Sequence, residues 1–201
     1  MITAVPIIIL LNIGVFLGWF LAEGSSAEFN LMADNFLISW TALAEGRYWT
    51  LLTSAFSHNM LWHLFLNMYV LLNFGTILER KLGLLRFLRF YIFAAIISSF
   101  SHAFASTYFL SQPDLPALGA SGAVSGAIVL FSFLFPKQKL LLLGIIPLPA
   151  MFGAFLFIGL DIWGLVSQVG GGGLPIGHGA HLGGAFTGIL YFLLFLRKSH
   201  R

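Results

Sequence analysis

Uncharged apolar stretches recur along this chain, and the charges between them predict its architecture. Ile2 to Ala22 carries no Asp, Glu, Lys or Arg, and neither does Tyr48 to Leu78. Phe90–Pro113, Leu115–Pro136 and Leu140–Leu160 are equally free of charge, and Ile162–Leu196 is cut only by Gly170-Gly171-Gly172-Gly173. A membrane-crossing helix needs roughly 20 apolar residues. The pattern therefore predicts an all-α membrane protein with six spans, near residues 4–22, 60–78, 88–110, 120–136, 147–166 and 178–196. Pro147 and Pro149 set Leu140–Ile146 apart as a separate apolar stretch before the fifth helix. The whole chain, 1–201, reads as one integral membrane domain.

The intervening segments carry their own signals. Glu23–Ser57 mixes Phe36, Trp40, Tyr48 and Trp49 with scattered charges, which suits short helices lying at the membrane interface. Gly83 is placed to stop the second helix. Ser111-Gln112-Pro113-Asp114-Leu115-Pro116 is turn chemistry, and Gly170–Gly173 is a flexible linker.

Composition agrees with this picture. Hydrophobic residues make up 59% and charged residues 8% of the chain, where a soluble domain is about a quarter charged. The net charge of +3 does not indicate nucleic acid, because the basic residues follow the spans. Nine of the ten Lys and Arg fall on one side of a six-span topology, and only Arg47 falls on the other. Loops on the cytoplasmic side are enriched in Lys and Arg, so both termini are expected there, in a membrane of the prokaryotic inner-membrane type. Glu23, Glu28, Asp34, Glu45, Asp114 and Asp161 are assigned to the outer side. There is no cysteine, which excludes disulfides and thiol chemistry.

Polar residues inside spans are costly and mark function. Ser121, in Gly119-Ala120-Ser121-Gly122, lies at the outer start of the fourth span. Free N–H groups and the positive dipole end of a helix favour a developing oxyanion there. The competing reading is packing: Gly122-x-x-x-Gly126 is a small-xxx-small pattern. His181 lies one turn into the sixth span among Gly177, Gly179, Gly183, Gly184 and Gly188, a narrow face that permits close helix approach. Ser121 and His181 together make a nucleophile and its base. His63 and Asn67 are four apart on the second span and share a face. With the Ser121 amide they could form an oxyanion hole. His58, five residues before His63, reads as structural. A metal site from His58 and His63, or from His178 and His181, is set aside: no His-Glu-x-x-His occurs and no intramembrane carboxylate is expected beside these histidines. No cofactor is expected.

These motifs resemble the rhomboid family of intramembrane serine proteases. The resemblance rests on His58, His63-Leu64-Phe65-Leu66-Asn67, Gly75-Thr76-Ile77-Leu78-Glu79, Gly119-Ala120-Ser121-Gly122 and Ala180-His181-Leu182-Gly183-Gly184 through Gly188, in that order. It implies a six-helix fold, a Ser121–His181 dyad without a third acid, and an oxyanion site from His63, Asn67 and the Ser121 amide. His58, Gly119, Gly122 and Gly184 support the site. The implied substrates are transmembrane segments of single-pass membrane proteins, with a small residue before the cut; the lipid bilayer is the other partner and nucleic acid is not one. The alternative is a non-catalytic relative that binds membrane proteins or serves their quality control. Two departures stand out. The family's Trp-Arg pair is here Trp49-Thr50, with Arg47 two residues earlier. A tyrosine that in some relatives supports the histidine ring is here Ser125, so support for His181 must come from packing or another group.

Overall fold

The computed structural model describes residues 3–142 and 146–197. Helix α1 (Ala4–Ala22) is followed by the short helices α2 (Ser26–Phe36), α3 (Trp40–Ala44) and α4 (Thr50–Thr53) and a single 3₁₀ turn at Ser54–Phe56. Ser25 and Ser39 cap α2 and α3, accepting from the Glu28 and Ala42 amides, as N-cap serines do. The short helices expected between the first two spans are thus present.

A continuous helix then runs from Leu61 to Leu82. It consists of α5 (Leu61–Val70), a widened turn at Leu71–Gly75 and α6 (Thr76–Leu82). It extends four residues beyond the expected end at 78. Gly83, at φ +82°, breaks it from α7 (Leu84–Tyr108), the stop expected from the sequence. The extension is held by burial of Glu79, whose carboxylate accepts the Ala4 and Val5 amides at 2.6 and 3.1 Å. A carboxylate at a helix N-terminus satisfies orphan N–H groups and opposes the dipole. The bond also places the start of α1 at the same end of the bundle as the end of α6.

Helix α8 (Ser121–Leu134) is followed by a small antiparallel hairpin, β1 (Lys139–Leu142) with β2 (Ile146–Pro149). The apolar stretch Leu140–Ile146 is therefore largely strand, a local exception to the all-helical expectation; residues 143–145 lie outside the described residues. Helices α9 (Ala150–Val169) and α10 (His178–Tyr191), the latter continued by a widened turn to Leu196, complete the chain. Of the basic residues expected after the last span, Lys198 and Arg201 lie outside the described residues.

Five helices are long and apolar enough to cross a membrane, and α8, with 14 residues, is a shorter apolar helix. At 1.5 Å per residue it reaches only about 21 Å, less than the hydrocarbon thickness of roughly 30 Å. It is also the most enclosed: Gly122, Ala123, Ser125, Gly126 and Ala127 are all buried. Small residues let α7 and α10 close around it. By contrast Leu10, Leu21, Phe93, Phe155 and Trp163 are at least 62% exposed. Such a girdle of large apolar side chains belongs in lipid, not water. The fold is an integral, multi-pass helical bundle, with α8 shorter than the five membrane-length helices and enclosed among them.

Candidate active site

Ser121 is the first residue of α8. The first bond within that helix runs from the Val124 amide to the Ala120 carbonyl, 2.9 Å. The Ser121, Gly122 and Ala123 amides thus have no carbonyl partner in the helix, as expected for a first turn. The segment leading to Ser121 is fastened from several sides. Ile38 and Ala117 exchange two backbone bonds of 2.9–3.0 Å, the Thr41 amide reaches the Pro113 carbonyl at 3.2 Å, and the Gly119 amide reaches the Ser54 carbonyl at 2.9 Å. Buried His102 of α7 bonds the Leu115 carbonyl at 3.1 Å. The interfacial loop and α7 together hold the strand that presents the serine.

His58 completes this anchorage. It is fully buried, and its Nε2 accepts the Ala120 amide at 3.4 Å. Burial, with nearby His63 adding to it, pushes its imidazole down to about 3, so it stays neutral and keeps a lone pair for that amide. The tie runs to the residue before Ser121. Arg47 organises the loop itself, pairing with Asp34 at 2.7 Å and Glu45 at 2.5 Å.

His63 projects from α5 onto Gly119. A Cβ at Gly119, built at its φ of +125°, would lie 2.7 Å from the ring. Glycine therefore serves twice here, allowing the left-handed backbone and admitting the imidazole. Asn67 is buried, but its amide donates back to the His63 carbonyl at 2.9 Å. One of its two N–H bonds remains for other use.

The helices that carry His181 and Ser121 meet along a backbone seam. A Cβ on Gly184 would fall 1.8 Å from the Gly122 carbonyl oxygen, and one on Gly122 would fall 3.1 Å from the Ala180 carbonyl oxygen. Helices α8 and α10 thus touch at the residues adjoining Ser121 and His181. The small-residue pattern around Ser121 does pack, as its simpler reading held, with Gly122 and Gly126 against α10. Among the described residues no hydrogen bond joins Ser121 Oγ to His181. Such bonds are often long before substrate arrives and tighten in the complex.

The largest correction concerns Asp161. It does not lie in a loop between spans. It sits within α9, 4% exposed, and its Oδ1 lies 3.0 Å from His181 Nδ1 and 2.6 Å from His178 Nδ1. The premise that no intramembrane carboxylate stands beside these histidines is overturned, and with it the expectation that no acid contacts the base. The three ligand atoms lie within 4.8 Å of one another, close enough to hold a cation. They also form a hydrogen-bonded set, two ring N–H donors meeting Oδ1, while the buried Oδ2 has no partner. The missing tyrosine support is likewise supplied from α9. Phe157, one turn before Asp161, lies against His181 with ring centroids 5.7 Å apart at 31°. Ser125 turns back to the Ser121 carbonyl at 2.6 Å.

Residues 45–198 match the Rhomboid domain. The chain belongs to the rhomboid family. This rhomboid is 36% identical over 192 residues to RHOMBOID-like protein 12, mitochondrial, of Arabidopsis thaliana, covering 89% of the present chain and 54% of that relative. It is 39% identical over 153 residues to Rhomboid protein 1, mitochondrial, of Saccharomyces cerevisiae, covering 71% and 40%. Presenilin-associated rhomboid-like protein A, mitochondrial, of Danio rerio is 36% identical over 141 residues, 69% and 35%. The rhomboid chain spans about half the length of the first of these relatives and less of the others.

Three residues of this rhomboid site escaped the reading of the sequence, Asp161, Phe157 and His102, and His178 was weighed only as a metal ligand with His181 and set aside. One signal was available. Phe157 and Asp161 are four apart, as are positions on one helix face, and Asp161 falls inside a span otherwise free of charge.

Proposed function

We propose that this rhomboid is an intramembrane serine endopeptidase that cleaves transmembrane segments of single-pass membrane proteins. The observation that supports the reading is the α8–α10 seam, in which Gly122, next to Ser121, packs against Ala180, next to His181. In this mechanism His181 takes the Ser121 hydroxyl proton as Oγ attacks the peptide carbonyl. It then returns that proton to the departing amine, and a second cycle with water releases the acyl group. The oxyanion is received by the Ser121 amide with His63 and Asn67. The position of His63 on Gly119 supports its part, whereas Asn67 must bring its remaining N–H to the site. Substrate helices must unwind locally before the scissile carbonyl is reachable, which favours helices interrupted by small residues. Hydrolysis by this route calls for water and no cofactor.

The excess of Lys and Arg in the loops assigned to one side supports a topology with both termini on the cytoplasmic side, or its organellar equivalent. The relatives bear mitochondrial names, whereas the sequence alone suggested a prokaryotic inner membrane; a multi-pass bilayer placement is common to both. The lack of a Ser121–His181 hydrogen bond favours a second reading, a non-catalytic rhomboid-like factor that binds membrane proteins. Purified protein in detergent, given a single-pass substrate, separates the two. Cleavage by the native chain, abolished in Ser121→Ala and in His181→Ala, is the expected result. Cleavage that survives both substitutions removes the dyad, and no cleavage by the native chain supports the binding factor.

A further inference from the structure

We infer that Asp161 is a positioning residue for the base, extending the dyad into a chain of contacts Ser121, His181, Asp161 and His178. The inference rests on the serine-protease reading above. Asp161 and Glu79 are the two acids in the described spanning helices, and the latter is occupied in capping α1. A carboxylate within a span is expensive unless it is paired. Asp161 is paired only with histidines, and one of them is the candidate base.

The geometry assigns each group a task. A carboxylate on Nδ1 selects the tautomer that carries its proton there, and leaves Nε2 as the lone-pair nitrogen. Phe157 limits the tilt of the same ring from one face. Helix α9 therefore fixes His181 in two ways from positions one turn apart. His178 fixes Asp161 in turn. Its ring lies in the space that a side chain on Gly164 would fill, 2.3 Å from where that Cβ would be. It is thus wedged between α9 and α10 and presents Nδ1 to the carboxylate. When His181 Nε2 accepts the Ser121 proton, the Nδ1 proton stays where it is, and the carboxylate holds the imidazolium without taking that proton. The proton gained at Nε2 leaves with the amine, so Asp161 ends each cycle as it began.

A plain helix–helix clamp would show the same bonds but a different response. A clamp affects stability, whereas a positioning residue affects turnover. The test uses the full chain in detergent micelles with a single-pass substrate, comparing native protein, Asp161→Asn, His178→Gln and Ser121→Ala. Asp161→Asn keeps the shape and offers an amide in place of the carboxylate. It is expected to lower kcat by about a hundred-fold or more while KM stays within about two-fold, and His178→Gln to lower kcat by about ten-fold. Nitrogen-15 NMR of histidine-labelled native protein is expected to find His181 protonated on Nδ1. Three outcomes overturn the inference: kcat of Asp161→Asn within about three-fold of native, a native His181 protonated on Nε2, or native activity that a chelator removes and zinc restores, which would make the cluster a metal site. The NMR result stands even if Asp161→Asn does not fold. If Ser121→Ala is inactive and Asp161→Asn is active, this inference alone fails; if Ser121→Ala still cleaves, the protease reading fails and the inference with it.

Discussion

The serine and the histidine are held by opposite means. Ser121 is presented by backbone: a loop tied through Ile38, Thr41 and Ser54, with His58 bonded to the Ala120 amide one residue away. His181 stands on a helix and is steadied by side chains, Asp161 and Phe157, that come from α9. The backbone ties make a rigid unit that small side-chain changes cannot reorient. The side-chain ties can be changed one at a time while the helices stay in place. Between the two lies the glycine seam of α8 and α10, on which both depend. In lipid there is little hydrophobic drive for helices to associate, so close packing of small residues carries the contact.

Breaking the seam should have the largest effect. Gly184→Ala puts a methyl 1.8 Å from the Gly122 carbonyl oxygen, where only backbone movement relieves the clash. A loss of about 3 kcal/mol or more is expected, read as a lowered unfolding midpoint in detergent together with loss of cleavage. Unchanged stability would mean that α8 and α10 do not touch there.

On the serine side, His58→Ala removes the acceptor of a buried amide, and a loss of about 1–3 kcal/mol is expected. Its pH dependence has a definite sign. The folded His58 titrates at about 3, below its ordinary value of 6.5. Its contribution is therefore complete above about pH 6.5 and is lost as pH falls towards about 3. Unfolding midpoints measured across that range should fall for the native chain and fall less for His58→Ala. Equal slopes would free His58 from this role.

The smallest effect is expected on the histidine side, away from its two side-chain ties. Gly159 lies on α9 between Phe157 and Asp161, and a Cβ there meets nothing within 4 Å. Gly159→Ala should leave cleavage unchanged and stabilise the helix by a fraction of about 1 kcal/mol. A marked loss of activity would show that α9 must flex there, which the present contrast does not require.

Much of this was legible in the sequence, and what was missed was missed for separate reasons. Charge spacing located the helices, since lipid leaves few alternatives for long uncharged stretches. Ser121, His181 and His63 were visible because polar residues in such stretches stand out. The misplacement of Asp161 came from reading a lone acid as a boundary between span and loop, when a buried acid with two imidazole partners can lie well inside a helix. The hairpin at Lys139–Pro149 was hidden because its apolar residues resemble a helix start, and prolines flank both possibilities. The pairing of Asn67 with its own helix was not foreseeable, since a side chain's choice between its helix and a neighbour depends on packing.

The central claim is that His181 activates Ser121 chemically. A fluorophosphonate probe, followed by mass spectrometry of the purified protein, tests it most directly. The account predicts one adduct, on Ser121, formed by the native chain and absent in His181→Ala with its fold intact. No adduct on Ser121, or an adduct formed equally fast without His181, would contradict it.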